Sequence, residues 1–335
     1  MRPLALLVLA LLVAACGTDD AAPEAPPTRA EDADGPLVIY AGRKLTLVEP
    51  ILKRFTADTG IEVEVRDGNT AEMALAITEE GESSPADVFW AQDAGALGLV
   101  SGAGLLAPLP DSLTGLVDAR FRGDSARWVA LSGRARTLAY APARADTAAL
   151  PRSVFDLADA RYRGRVVWAP TNASFQSFVT AMRETAGEAR TRTWLEAMAA
   201  NGTQVAPNNV GILDAIAAGE ADYGLPNHYY LLQRLAERPD FPVAQTRFAD
   251  GDVGNLVNVA GAGILASSRR PNAAARLLAY LLSDAGQAYF QDETAEYPVA
   301  GPDALSDLGA APELGLDRLA DLDGTLRLLR EVGLL

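Results

Sequence analysis

The hydrophobic pattern begins at Leu37-Val38-Ile39-Tyr40, an apolar run that reads as a strand and leads into the turn Ala41-Gly42-Arg43. Between Leu47 and Thr59, apolar Leu47, Ile51, Leu52 and Phe55 recur at helical spacing, and Gly60 supplies the stop. Ile61-Glu62-Val63-Glu64-Val65 alternates as a half-buried strand does. A helix over 70–80, a strand at Asp87-Val88-Phe89-Trp90 and a helix over 95–101 complete a βαβαβ opening. That order predicts a mainly parallel sheet with helices on both faces. Gly102 and Gly104 close a helix and lack a third glycine, so they make no dinucleotide fingerprint.

Further on, strands at 128–131 and 137–140 flank Arg134, and a helix over 152–158 introduces a second unit. After the strand Val166-Val167-Trp168 come Thr171, Asn172 and Ser174, residue types that cap a helix, and that helix runs to Ala186. A helix start of this kind suits an anion, although spacing alone favours simple capping. Helices follow at 191–200 and 210–217, the second closed by Gly219. The strand Ala221-Asp222-Tyr223-Gly224-Leu225 then enters Pro226-Asn227-His228-Tyr229-Tyr230, ahead of a helix over 231–238. A polar, aromatic cluster at a strand end is a common ligand site in α/β folds, and tyrosines that cap and edge-pack a helix fit the local pattern too. A strand over 257–265, helices over 272–282 and 284–292, an extended Glu296-Tyr297-Pro298-Val299 and closing helices within 314–332 finish the chain.

Composition narrows the function. A length of 335 residues suits two lobes, and 49% hydrophobic residues suffice for a sizeable core. A formal net charge of -15 leaves no basic stripe for a nucleic acid. Arg2 and the apolar stretch Leu4 to Ala15 form a leader too short for a comfortable membrane span. Leu12-Val13-Ala14-Ala15-Cys16 resembles the lipobox of bacterial lipoproteins, so residues 1–16 are expected to be a signal peptide with Cys16 as the lipid attachment point. Residues 17–35, rich in Ala, Pro, Asp and Glu, read as a flexible tether. The expected location is extracytoplasmic, as a membrane-anchored lipoprotein.

Several segments in order carry a family resemblance. They include Ile39-Tyr40-Ala41-Gly42-Arg43, Ser84-Pro85-Ala86-Asp87-Val88-Phe89 and Leu131-Ser132-Gly133-Arg134-Ala135-Arg136. Tyr162-Arg163-Gly164-Arg165-Val166, Asn208-Asn209, Asn227-His228-Tyr229-Tyr230 and Glu296-Tyr297-Pro298 extend it over nearly all of 36–335. The sequence resembles the periplasmic ferric-ion-binding proteins, the substrate-binding subunits of ATP-driven iron importers. The resemblance implies an α/β, two-lobed periplasmic-binding-protein-like fold of the class II type, with the ligand cleft between lobes. It places one lobe at 36–133 plus about 255–310, and the other at about 134–254 plus helices over 311–335. It implies a monomer that captures Fe3+ with a small anion, carbonate or phosphate, and delivers it to an ABC permease and its ATPase.

The same resemblance puts the metal on Tyr229 and Tyr230. The anion falls on Asn172, Ala173, Ser174, Asn208 and Asn227. Gln92, Asp93 and His228 are further metal candidates, with His228 read first as structural. Lys44 and Leu45 occupy places where some members carry a ligating histidine or tyrosine, and the third cleft tyrosine of other members is missing near Ser174. The chemistry agrees, because ferric iron is a hard cation that prefers anionic oxygen and strips the proton from a phenol. A related reading keeps the fold and changes the ligand to thiamine, a polyamine or a phosphonate, with Trp90 available to stack. A hydrolase is the remaining alternative, but the chain has no Gly-x-Ser-x-Gly elbow and no His-Glu-x-x-His, and Cys16 is its only cysteine.

Overall fold

A computed structural model describes residues 32–301, 304 and 312–335. The leader, Cys16 and residues 17–31 of the expected tether lie outside the described residues. The chain runs through β1 (Leu37–Ala41), α1 (Leu45–Thr59), β2 (Val63–Asp67), α2 (Thr70–Glu80), β3 (Val88–Ala91), α3 (Ala94–Gly102), α4 (Asp111–Thr114) and β4 (Trp128–Ala135). It continues through β5 (Leu138–Tyr140), β6 (Val166–Trp168), α5 (Ala173–Ala186), α6 (Glu188–Ala200), β7 (Gln204–Val205), α7 (Asn209–Ala218), β8 (Tyr223–Gly224), α8 (His228–Glu237) and β9 (Ala244–Thr246). It ends with β10 (Val257–Ile264), α9 (Pro271–Leu281), α10 (Asp284–Thr294), a 3-10 turn at Leu316–Ala320 and α11 (Leu322–Glu331).

Two five-stranded sheets result, in the orders β2-β1-β3-β10-β4 and β7-β6-β8-β5-β9. The chain leaves the first at Ala135, starts the second at Leu138, and returns between β9 and β10. The strand that leaves and the strand that returns lie side by side, so they run in opposite directions. β10 is accordingly antiparallel to both β3 and β4. In this sheet the expectation of mainly parallel pairing therefore holds for β1, β2 and β3 alone, while in the second sheet β6 is parallel to β7 and β8. β4 also runs unbroken through Arg134, which the hydrophobic pattern had left between two strands.

Local chemistry sets the helix ends. Gly60 closes α1 in the left-handed conformation at φ 73°. Asn69 and Glu72 form a reciprocal capping box at the start of α2. Asp93, Asn172 and Asn208 cap α3, α5 and α7 through their side-chain oxygens. The expected helix over 152–158 is a shorter 3-10 turn, Val154–Ala158.

Trp90 and Trp128 are fully buried in the first lobe, with Trp90 edge-on to Phe290. In the second, Trp168, Phe175, Phe178 and Trp194 pack edge to face beneath α5. Residues 32–35, assigned to the tether by composition, are in fact pinned. The Asp32 carboxylate accepts the Asn272 and Ala273 N–H groups at the start of α9, and Arg270 holds the Asp34 and Gly35 carbonyls. The C-terminal segment touches both lobes, with Leu316–Ala320 against α3 and α11 against α5. Gly95 permits the first contact, since a Cβ there would lie 2.9 Å from the Leu319 carbonyl oxygen.

Candidate metal and anion site

The cleft between the lobes has a volume of about 720 Å³. Tyr229 and Tyr230 reach it from the first turn of α8, which starts three residues earlier than the sequence pattern placed it. Their rings stack with centroids 4.2 Å apart at 30°, so two phenols face one space. Burial, reinforced by Tyr230, raises the Tyr229 phenol above its ordinary range, while Arg134 opposes the shift. Tyr229 is therefore protonated at neutral pH, and any metal that uses this oxygen must displace the proton.

Across the cleft stands the start of α5. Asn172 Oδ1 accepts the Ser174 N–H at 3.0 Å and the Ser174 hydroxyl at 2.7 Å, and both residues line the cleft with Ala173. Asn227 lines it too, and its N–H donates to Asn209 Oδ1 at 2.9 Å. Asn208 does not join them. It is exposed, and its Oδ1 is used on the Gly211 N–H at 3.0 Å to cap α7. Asn209, one residue further into the helix, lines the cleft instead, because one residue of helix turns a side chain by about 100°.

The other candidates separate clearly. Gln92 and Asp93 line the cleft. Asp93 Oδ1 accepts the Ala96 N–H at 3.1 Å, and burial raises its carboxyl pKa against the pull of that bond and of Arg134. His228 is not on the cleft wall. Its Nδ1 accepts the Ala135 N–H at 3.2 Å, and its ring stacks on Tyr297 at 4.0 Å and 9°. That lone pair is in use, which leaves the ring a wedge behind the tyrosines. Trp90, the stacking candidate for an organic cation, is fully buried and also absent from the wall.

Burial pushes the His228 pKa down from 6.5 to about 4. The unfolded chain takes up a proton first as pH falls, so stability is full above pH 6.5 and is lost progressively down to about pH 4. The depression corresponds to about 3 kcal/mol. His228→Asn keeps an acceptor for Ala135 and does not titrate there. Urea unfolding from pH 7 to pH 4 is expected to show that extra loss in the wild type and not in the variant.

A charged layer that single-stretch reading missed lies beneath the cleft. Glu296, wholly buried, accepts both oxygens' worth of hydrogen bonds from Arg43 Nη2, at 3.1 and 3.0 Å, and one from the Ser132 hydroxyl at 2.7 Å. Arg134 Nη1 is 4.0 Å from the same carboxylate, and its Nη2 donates to the Gln92 carbonyl. Arg43 and Arg134 both line the cleft. Arg136 is buried as well, donating to the Leu225 carbonyl and to Ser174 O at 2.7 Å, over the faces of Phe175 and Phe178. Burial pushes its guanidinium pKa down to about 9, still protonated at neutral pH.

Arg43 and Arg134 thus share one buried glutamate, and Arg136 is buried apart from it at the start of α5, in a chain of net charge -15. Arg43 Nε, Arg134 Nε and Nη1, and Asn258 Nδ2 are buried donors on cleft-lining residues without a hydrogen-bond partner among the described residues. Such donors each cost about 1–3 kcal/mol when unmet, so the site favours an incoming acceptor. No three His, Cys, Asp or Glu side chains converge to hold a metal among the described residues.

Residues 83–313 match the model of the bacterial extracellular solute-binding protein family. The chain belongs to that family. It is 34% identical to an Fe(3+)-binding periplasmic protein of Serratia marcescens, over 88% of this chain and 86% of that one. Its fold is similar to iron-bound HitA of Pseudomonas aeruginosa, with a TM-score of 0.80, 34% identity, and coverage of 89% and 99% of the two chains. It is similar also to a Trichodesmium protein, IdiA or FutA, solved in complex with iron and citrate ligands, with a TM-score of 0.80, 26% identity, and coverage of 90% and 100%. As a family member this chain is a solute-binding protein rather than an enzyme.

Proposed function

We propose that this protein captures ferric iron with an oxyanion in the inter-lobe cleft and delivers it to an ABC permease with its ATPase. The carrying observation is the stacked pair Tyr229 and Tyr230, two phenols converging on one cleft wall. Phenolates are hard donors suited to Fe3+, and two of them leave coordination positions for an anion and water. Asn172, Ala173 and Ser174 at the start of α5, with Asn209 and Asn227 beside them, receive that anion, carbonate or phosphate. Arg134 and Asn258 add donors from the opposite lobe. Gln92 and Asp93 are the remaining protein oxygens within the same cleft. Lobe closure then buries the loaded site and offers the permease a distinct shape. Acylation of Cys16 in the lipobox-like leader would hold the protein at the membrane surface. Names of relatives that bind ferric iron support the cargo.

Protein stripped with a chelator and titrated with ferric chloride in bicarbonate or phosphate buffer tests this. A visible phenolate-to-iron charge-transfer band that saturates at a single iron per chain is expected. A colourless protein that retains no iron would overturn the reading.

A further inference from the structure

Arg43, Arg134 and Arg136 are the buried arginines among the described residues. The first two share Glu296. Arg136, 2% exposed, makes no ion pair with a carboxylate among the described residues. Burial is the single influence on its protonation, with no acidic group pulling the other way. A buried charge without a counter-ion is costly, so a position that keeps one gains something from the charge.

The backbone of Arg136 lies on the strand that crosses between the lobes. Its N–H donates to the Leu256 carbonyl at 2.9 Å, and it bridges Asn227. The guanidinium turns into the second lobe. Nη1 donates to the Leu225 carbonyl, and Nη2 donates to Ser174 O at 2.7 Å and to Ser174 Oγ at 3.2 Å. The Ser174 hydroxyl donates in turn to Asn172 Oδ1, which also accepts Asn209 Nδ2 at 3.4 Å. One chain of hydrogen bonds therefore runs from the Arg136 charge to the asparagines of the cleft wall, although Arg136 is not on that wall itself. The guanidinium touches the second lobe alone, so lobe closure leaves its charge fixed behind the start of α5.

We propose that Arg136 sets the charge of the anion this site accepts, favouring a dianion over a monoanion while touching neither. It is a positioning residue. Its fork fixes the first turn of α5, and its charge adds to the positive end of that helix. A full charge one side chain behind the anion is worth on the order of tenfold in affinity for each charge the anion carries. The role rests on the anion site proposed at Asn172 to Ser174.

Calorimetric titration of the iron-free protein with inorganic phosphate and with formate tests this, at about pH 8 and at low ionic strength, which limits screening. Wild type is expected to bind phosphate at least about tenfold more tightly than formate. In Arg136→Gln, which keeps a donor for the Ser174 carbonyl, formate should weaken about tenfold and phosphate about a hundredfold, so their ratio drops about tenfold. Arg136→Met supplies a second neutral side chain of similar length. Arg136→Lys keeps the charge and should keep the ratio, even where loss of the fork weakens both anions alike. A ratio unchanged in the neutral variants, a ratio lost equally in Arg136→Lys, or a wild type that does not prefer phosphate overturns this role. A ferric titration of the same wild-type sample separates the two readings. Iron colour beside any of those results overturns the role of Arg136 alone, and a colourless protein that retains no iron overturns the ferric reading.

Discussion

Tyr229→Phe and Tyr230→Phe are each expected to lose most of the charge-transfer band and to weaken iron retention by more than about 100-fold, since even outer-shell changes at metal sites cost 10–100-fold. The substitution is a clean one here. Phenylalanine keeps the ring, so the 4.2 Å stack and the packing behind it persist while one oxygen is removed. The double variant should be colourless. Absorbance titration followed by competition against citrate measures both quantities, and a single variant with an undiminished band would remove that tyrosine from the metal. The protonated state of Tyr229 adds a direction to the result. Loading releases the phenol proton, so wild-type affinity should fall as pH is lowered, and less steeply in Tyr229→Phe.

Glu296→Gln is expected to cost about 3–5 kcal/mol of folding stability, the usual consequence of leaving buried charge without its partner. Glutamine retains the shape and one acceptor oxygen, so the loss is that of the negative charge between Arg43 and Arg134. Burial by itself would raise this carboxyl, but Arg43, Arg134 and Ser132 together hold it below the ordinary carboxylate range. A depressed carboxyl contributes stability that is complete above its unfolded value of about 4.5 and is lost as pH falls through the folded value. The urea midpoints of wild type and variant should therefore converge in acid, from about pH 4.5 downward, starting at the acid end of the His228 window. Equal stability at pH 7 would show that the arginines find other compensation.

Much of the site was readable because its signals are local. The adjacent tyrosines, the capping run at Asn172 to Ser174 and the Asp93 cap each sit within a few residues of the helix start that aims them at the cleft. The α8 boundary was misjudged although its signal is local too. Asn227 occupies the N-cap position, a residue type that marks helix starts in sequence, although its side chain makes no capping hydrogen bond. Asn208 and Asn209 are the same residue type, and only the turn of backbone between them decides which caps and which faces the cleft.

The sequence by itself determined the α/β elements, the family resemblance and the phenol pair, all of which depend on short-range periodicity or on residue order. Tertiary structure alone decided three things. It joined Arg43 to Glu296 across 253 residues of chain, a charge pairing no local window contains. It set β10 antiparallel beside β4, because the returning strand must oppose the departing one. And it brought the exposed leucines of α2, α3 and α11 to one cavity, since which apolar side chains stay in water depends on what the other lobe leaves uncovered.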